Sequence, residues 1–201
     1  MYSKYLKRFF DILLSILLLP IFVFLYLIVG IGIKLEDGGS VIFAGERLGK
    51  NQKKFKMYKF RSMKINSKDI RNKDGSTYNA KDDHRVTKIG KYIRESSIDE
   101  IPQIINVLKG EMSFVGPRPS PTGNEHLYSK DYLRKFSVRP GVTGYTQVYF
   151  RNNCTIEERQ KNDLFYVDNL TMMLDVKIIF LTFYKVFRRE DLYRENSDIK
   201  R

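Results

Sequence analysis

Tryptophan is missing from this chain, and cysteine occurs once, as Cys154. A single thiol excludes an intramolecular disulfide and suits a reducing compartment. Histidine is scarce too: His84 and His126 stand far apart, and no Cys/His cluster has zinc-binding spacing. No internal repeat is present, so the chain reads as one compact domain rather than an array. Acidic residues are in deficit. Against 36 Lys and Arg there are 23 Asp and Glu, a formal charge of +13. Three partners suit that balance: nucleic acid, anionic lipid, or a phosphate-rich substrate. No nucleic-acid module accompanies it.

What the chain does have is one long apolar run. Between Ile12 and Ile33 only Ser15, and the hydroxyl tip of Tyr26, interrupt the apolar side chains. As a single helix this run would be roughly 33 Å long, enough to cross the hydrocarbon core of a bilayer. Pro20 lies inside it. Proline removes a backbone donor and clashes with the preceding turn, so a kink or break is expected there. The two limbs would be about 12 and 20 Å long, neither enough to cross alone. Lys4, Lys7 and Arg8 precede the run, and Lys34 and a lysine-crowded stretch follow it. By the positive-inside rule both flanks prefer the cytosol. A bent helix that enters and leaves one leaflet satisfies both. A straight span and a cleaved signal peptide are the alternatives, though the run exceeds the usual h-region. An anchor of this kind argues against nucleic acid.

The expected organisation is an anchor over 1–34, a domain over 35–189 and a polar tail over 190–201. Asp37-Gly38-Gly39 marks a turn and Val41-Ile42-Phe43 a short strand. Lys54 to Met63 alternates basic and apolar residues, predicting a strand with Lys59 and Arg61 on one basic face. The alternative is a solvated or lipid-facing edge. Lys64 to Asp83 reads as a surface loop, and Val86 to Arg94 as a short basic helix or turn. Ser96 to Gly110 predicts a helix, with Ser97 and Glu100 as a capping box and Pro102 tolerated in its first turn. Ile98, Ile101, Ile104, Ile105 and Leu108 form its apolar stripe. Gly116-Pro117-Arg118-Pro119 and Arg139-Pro140-Gly141-Val142-Thr143-Gly144 are rigid turns, each presenting an arginine. Glu125 to Phe136 could be helical and Gln147 to Phe150 a strand. Thr155 to Asn169 predicts a capped, charged helix, and Leu170 to Phe187 an amphipathic one, core-packed or interfacial. The fold class is α+β: a mostly helical cytosolic domain with short β elements behind a re-entrant helix broken at Pro20.

Asp99-Glu100 is the pair that could carry chemistry. Taken alone, both fit helix capping and the helix dipole better than catalysis. Their surroundings shift the reading. Arg94 lies five residues upstream, and Arg118 and Arg139 sit on rigid turns. Arginines around two carboxylates suit a phosphate held through a metal ion, with Mg2+ relieving the repulsion.

These motifs, in this order, resemble the bacterial sugar transferases, specifically the small monotopic phosphoglycosyl transferases of the PglC type. The resemblance runs from Lys7-Arg8-Phe9-Phe10-Asp11 through Tyr58-Lys59-Phe60-Arg61-Ser62-Met63 and Asp83-His84-Arg85-Val86-Thr87-Lys88-Ile89-Gly90. It continues in Ser97-Ile98-Asp99-Glu100-Ile101-Pro102-Gln103, in Asn106 to Gly110, in the two arginine turns and in Leu174-Asp175-Val176-Lys177. It implies transfer of a sugar 1-phosphate from a UDP-sugar to a polyprenol phosphate, usually undecaprenyl phosphate, with release of UMP. That would be an early membrane step in making a surface glycoconjugate. Asp99 would be the nucleophile. Glu100 would hold the metal or orient Asp99, with Mg2+ as cofactor. Arg94, Arg118, Arg139, Lys59 and Arg61 would bind phosphate, and Pro20 would make the membrane break. The protein would sit in one leaflet of the bacterial inner membrane with its domain in the cytosol, and a homodimer is entertained. Two departures stand out: Leu19 where many members have Ser, and Tyr149-Phe150 where many have Asn-Gly. The competing reading is a non-catalytic basic scaffold on anionic lipid.

Overall fold

A computed structural model describes residues 2–68, 70, 78, 80, 82–123, 128–150 and 154–188. Among them six α-helices and five short strands form an α+β arrangement. Helix α1 (Lys7–Asp37) follows a π-helical turn over Tyr2–Leu6. It runs through Pro20 as one element, so the expected helix–break–helix is absent. Proline forfeits one backbone bond, whereas an interruption in apolar surroundings would orphan several. The helix also extends past Lys34, taking in Glu36 and Asp37. Gly38, at φ 71°, ends it and donates to Lys34 O at 3.0 Å, a left-handed cap that suits glycine.

One narrow stripe of α1 is packed: Phe22, Val29 and Ile33 lie against Phe60, Ile93 and Ile104. Most of its other apolar side chains, Leu17, Phe24 and Ile31 among them, are exposed. Polar contacts tie both ends to the same domain. At the start, Lys7 pairs with Asp175 at 2.5 Å, and Arg8 donates to Val107 O and Leu108 O. Asp11 accepts from Ser113 Oγ and Phe114 N, both at 3.0 Å. At the finish, Glu36 accepts from Lys88 N and Ile89 N, and Asp37 grips Arg61 through both carboxylate oxygens at 2.5 Å.

Strands β1 (Ile42–Leu48) and β2 (Lys54–Phe60) form an antiparallel hairpin. Strand β3 (Ser113–Val115) lies elsewhere, and β4 (Ser120–Pro121) pairs with β1, giving the order β2-β1-β4. The free edge of β2 is covered by helix α3 (Gln103–Lys109). Buried Asn106 donates to Lys56 O at 2.8 Å and accepts from Tyr58 N at 3.0 Å, replacing a missing strand. Helix α2 (Lys88–Glu95) precedes α3, capped by Thr87, whose Oγ1 accepts from Gly90 N.

Strand β5 (Gly141–Thr143) runs parallel to β3, so the Arg139–Gly144 turn becomes half of a small sheet. The strand expected over Gln147–Phe150 is helix α4 (Tyr145–Tyr149), because four residues cannot separate the two periodicities. Of the stretch Glu125–Phe136, Tyr132 onward forms a 3-10 helix, Tyr132–Ser137; residues 124–127 lie outside the description, as do half of the 64–83 loop and the tail from 189. Helix α5 (Ile156–Asp168) carries its expected capping box between Thr155 and Glu158. Helix α6 (Met172–Arg188) buries Asp175 and Ile178 and exposes Met173, Phe180, Phe183 and Phe187.

The Arg61 fork holds the Asp37 carboxyl down at about 2. Asp37 is partly exposed, so solvent screening discounts the pair, and Asp37→Asn should cost about 1 kcal/mol at neutral pH. A depressed carboxyl stabilises above its unfolded value and loses that contribution as pH falls from 3.8 toward 2. Urea titrations in detergent at pH 7 and pH 2.5 should show the gap closing.

Candidate active site

The acidic pair sits on a tight turn rather than on a helix face. After α2, the Ser96 hydroxyl donates back to Tyr92 O, and Ser97 enters the left-handed region at φ 57°. A single 3-10 turn, Ile98–Glu100, follows, and α3 begins only at Gln103. Pro102 has no N–H to continue an earlier helix, so the segment expected as one helix is two pieces. Ser97 makes no side-chain cap, and the capping box with Glu100 does not form. A capping serine needs extended backbone, and the Glu100 carboxylate is drawn elsewhere. Ile98, Ile101, Ile104, Ile105 and Leu108 do share the core against α1.

The two carboxylates are differently employed. Lys59, near the end of β2, donates to Glu100 Oε1 at 2.5 Å but stays 3.7 Å from Asp99 Oδ2. Asp99 is buried and, among the described residues, makes no side-chain hydrogen bond. Burial pushes the Asp99 carboxyl up. Lys59, Arg94 and Arg118 pull against that, and Glu100 adds to it. For Glu100, burial also acts upward, but Lys59 and Arg118 prevail and bring it down. The pair thus consists of an anchored anion and an unanchored, desolvated carboxylate beside it.

Three of the expected phosphate-binding cations gather here: Lys59, Arg94 and Arg118. Arg94, in the last turn of α2, is steadied by Nε donating to Ser62 Oγ at 2.8 Å. Arg118 is exposed, between β3 and β4. Its loop is seated by close backbone approach: a methyl on Gly144 would fall 2.0 Å from Gly116 O. Its carbonyl accepts from Lys135 Nζ at 3.2 Å. Lys135 is itself buried, 2.9 Å from Asp163 Oδ2 and 2.7 Å from Tyr132 OH. Thr146 donates to the other oxygen of Asp163. Nothing in the sequence announces this support, because Lys135 and Asp163 are 28 positions apart.

The other two arginines are engaged elsewhere. Arg61 follows β2 but turns to Asp37, Ser40 O and Met63 O, joining α1 to the domain. The one basic face expected for Lys59 and Arg61 does not form. Arg139 donates through Nε to Gly110 O at 2.8 Å, beyond the far end of α3. It is not among the charges acting on Asp99 or Glu100.

Adjacent hard-oxygen donors, one of them free of protein hydrogen bonds, fit Mg2+. Among the described residues no group of three or more acidic, His or Cys side chains could hold a metal. That donor set suits an ion that arrives with phosphate oxygens and water as its remaining ligands.

The profile of the bacterial sugar transferases matches residues 2–189. The chain belongs to that family. Members similar to it include the UDP-galactose-lipid carrier transferase of Erwinia amylovora, 40% identical over 95% of this chain and 42% of that protein. The UDP-glucose:undecaprenyl-phosphate glucose-1-phosphate transferase of Escherichia coli is 37% identical over 95% of this chain and 42% of its own length. The uncharacterised sugar transferase EpsL of Bacillus subtilis is 40% identical, with 95% of this chain and 92% of EpsL covered. The chain spans about two-fifths of the length of most curated relatives it matches. Of the departures from the bacterial sugar transferase pattern, Leu19 is exposed beside Pro20. Tyr149 and Phe150 close α4, with Tyr149 against the Tyr145 ring at 4.6 Å.

A carboxyl raised by burial favours folding while protonated and opposes it once ionised. Asp99→Asn should therefore melt above the unsubstituted chain at pH 8, the gap narrowing as pH falls toward 4, which scanning calorimetry in detergent would measure.

Proposed function

We propose that this chain transfers a sugar 1-phosphate from a UDP-sugar to undecaprenyl phosphate, releasing UMP, through a covalent phosphosugar on Asp99. The observation that carries this reading is the unequal pair: Glu100 is tied to Lys59, while Asp99 has no hydrogen bond to displace. An ionised Asp99 oxygen attacks the β-phosphorus, and the bond to the bridging oxygen breaks, so UMP departs with that oxygen and its electron pair. A phosphate oxygen of the lipid acceptor then attacks the same phosphorus and expels Asp99. Neither step needs a general base, since both nucleophiles are already anions. The barrier is mainly charge repulsion, which Arg94, Arg118 and Lys59 relieve. Asp99 and Glu100 would hold Mg2+, which when bound would neutralise phosphate charge. Relatives named as galactose and glucose phosphotransferases to undecaprenyl phosphate support the substrate classes.

The anchor belongs to the same reading. Helix α1 is long and apolar enough to cross a membrane. Yet Arg8 and Asp11 at one end, and Glu36 and Asp37 at the other, contact one domain. A transmembrane helix would place one of those sets across the bilayer from its partners. We read α1 as seated in one leaflet of the bacterial inner membrane, with α6 along the interface and the domain in the cytosol.

Purified protein with Mg2+ and undecaprenyl phosphate should release UMP from one member of a UDP-sugar panel. Asp99→Asn should lower that release at least a thousandfold, and mass spectrometry of the unsubstituted chain should find the phosphosugar on Asp99. Full turnover by Asp99→Asn would remove this residue as nucleophile. Reporters fused at residues 1 and 201 should both read as cytosolic; opposite sides would mean a crossing helix.

A further inference from the structure

The tip of the β1–β2 hairpin, the last turn of α3 and Arg139 enclose a cleft of about 350 Å3. Lys50, Lys53, Lys54, Lys109 and Arg139 line it, against one carboxylate, Glu111. Glu111 is already engaged, accepting from Asn106 Nδ2 at 2.7 Å. Lys54 approaches Glu46 only at 3.7 Å in solvent, and Lys50 and Lys53 make no ion pair among the described residues. The hairpin tip is closed by Gly49 N donating to Lys53 O at 2.8 Å. Asn51 and Gln52, at φ 55° and 58°, both take a conformation that side-chain-bearing residues seldom adopt. That turn keeps Lys50 and Lys53 on the same rim.

This cleft is separate from the acidic pair. Lys54 and Lys59 stand at opposite ends of β2, about 17 Å apart at the usual strand rise. Its other neighbour is the start of α1: the Arg8 guanidinium lies 3.5 Å from where a Gly110 side chain would begin. The cleft therefore opens beside the end of the apolar helix. A concave surface of one sign concentrates counter-ions far better than a flat one. Its volume lies within the range of small-molecule sites and exceeds the needs of a single inorganic phosphate.

We propose that this cleft binds a phosphate or diphosphate group, carried either by a soluble ligand or by a lipid headgroup at the bilayer surface. The proposal does not depend on Asp99 chemistry. The full chain in detergent would be titrated with inorganic pyrophosphate, and separately with nanodiscs of phosphatidylglycerol or phosphatidylcholine. The triple variant Lys50→Ala, Lys53→Ala, Lys54→Ala should bind at least tenfold more weakly in one arm or both, with an unchanged melting temperature. Loss with pyrophosphate points to a soluble phosphate. Loss with phosphatidylglycerol discs alone points to a headgroup. Arg94→Ala, beside the acidic pair and away from the cleft lining, should leave the cleft's affinity intact, and the corresponding triple arginine variant should retain it. Binding by the alanine variant equal to the unsubstituted chain in both arms would overturn the proposal, as would loss in the arginine variant.

Discussion

A single lysine between two carboxylates sets the character of this site. Lys59 forms a short bond to Glu100 and stops short of Asp99. Had it bridged both, the pair would be a neutralised structural knot, and breaking it would require displacing a buried cation. Because it takes one partner, the other carboxylate is left desolvated, attracted by Arg94 and Arg118 but held by neither. That inequality depends on backbone geometry. Pro102 ends the helical continuation and Ser97 turns the chain, so Asp99 and Glu100 stand on a 3-10 turn facing the end of β2.

The cations around the pair are held from behind by the fold. Arg94 is steadied by Ser62, and the Arg118 loop rests on the β3–β5 pair through glycine backbones too close for any side chain. Behind that loop, Lys135 and Asp163 form a buried, fully hydrogen-bonded network with Tyr132 and Thr146. Removing one member would leave a buried charge unpaired, a far larger penalty than losing a surface contact. The Arg118 side chain itself remains exposed, so the scaffold fixes where the guanidinium starts and leaves its end free to follow a ligand.

Much of this was legible in the residues. The apolar run, the Asp99-Glu100 pair, the arginine turns, the Thr155–Glu158 box and the amphipathic helix over Leu170–Phe187 all rest on local signals, and local signals survive folding. What failed depends on distant partners. Ser97 and Glu100 have capping spacing, but Lys59, forty-one positions away from Glu100, recruits the carboxylate. Arg61 alternates with Lys59 as a strand residue should, yet it lies just past the strand and Asp37 claims it. Arg139 heads a rigid turn, but that turn becomes β5 and faces Gly110. Pro20 predicts a break from its own chemistry; the backbone bonds of its apolar neighbours keep the helix whole.

The polar ties at the start of α1 also constrain how the protein is made. Arg8 finds its acceptors 99 and 100 residues downstream, and Asp11 its donors 102 and 103 downstream. During synthesis the greasy helix emerges long before the segments that will receive its charged end exist. Until they arrive, Arg8 and Asp11 lack these partners and water must take their place. Docking of the start of α1 is therefore completed only when α3 and β3 have been translated.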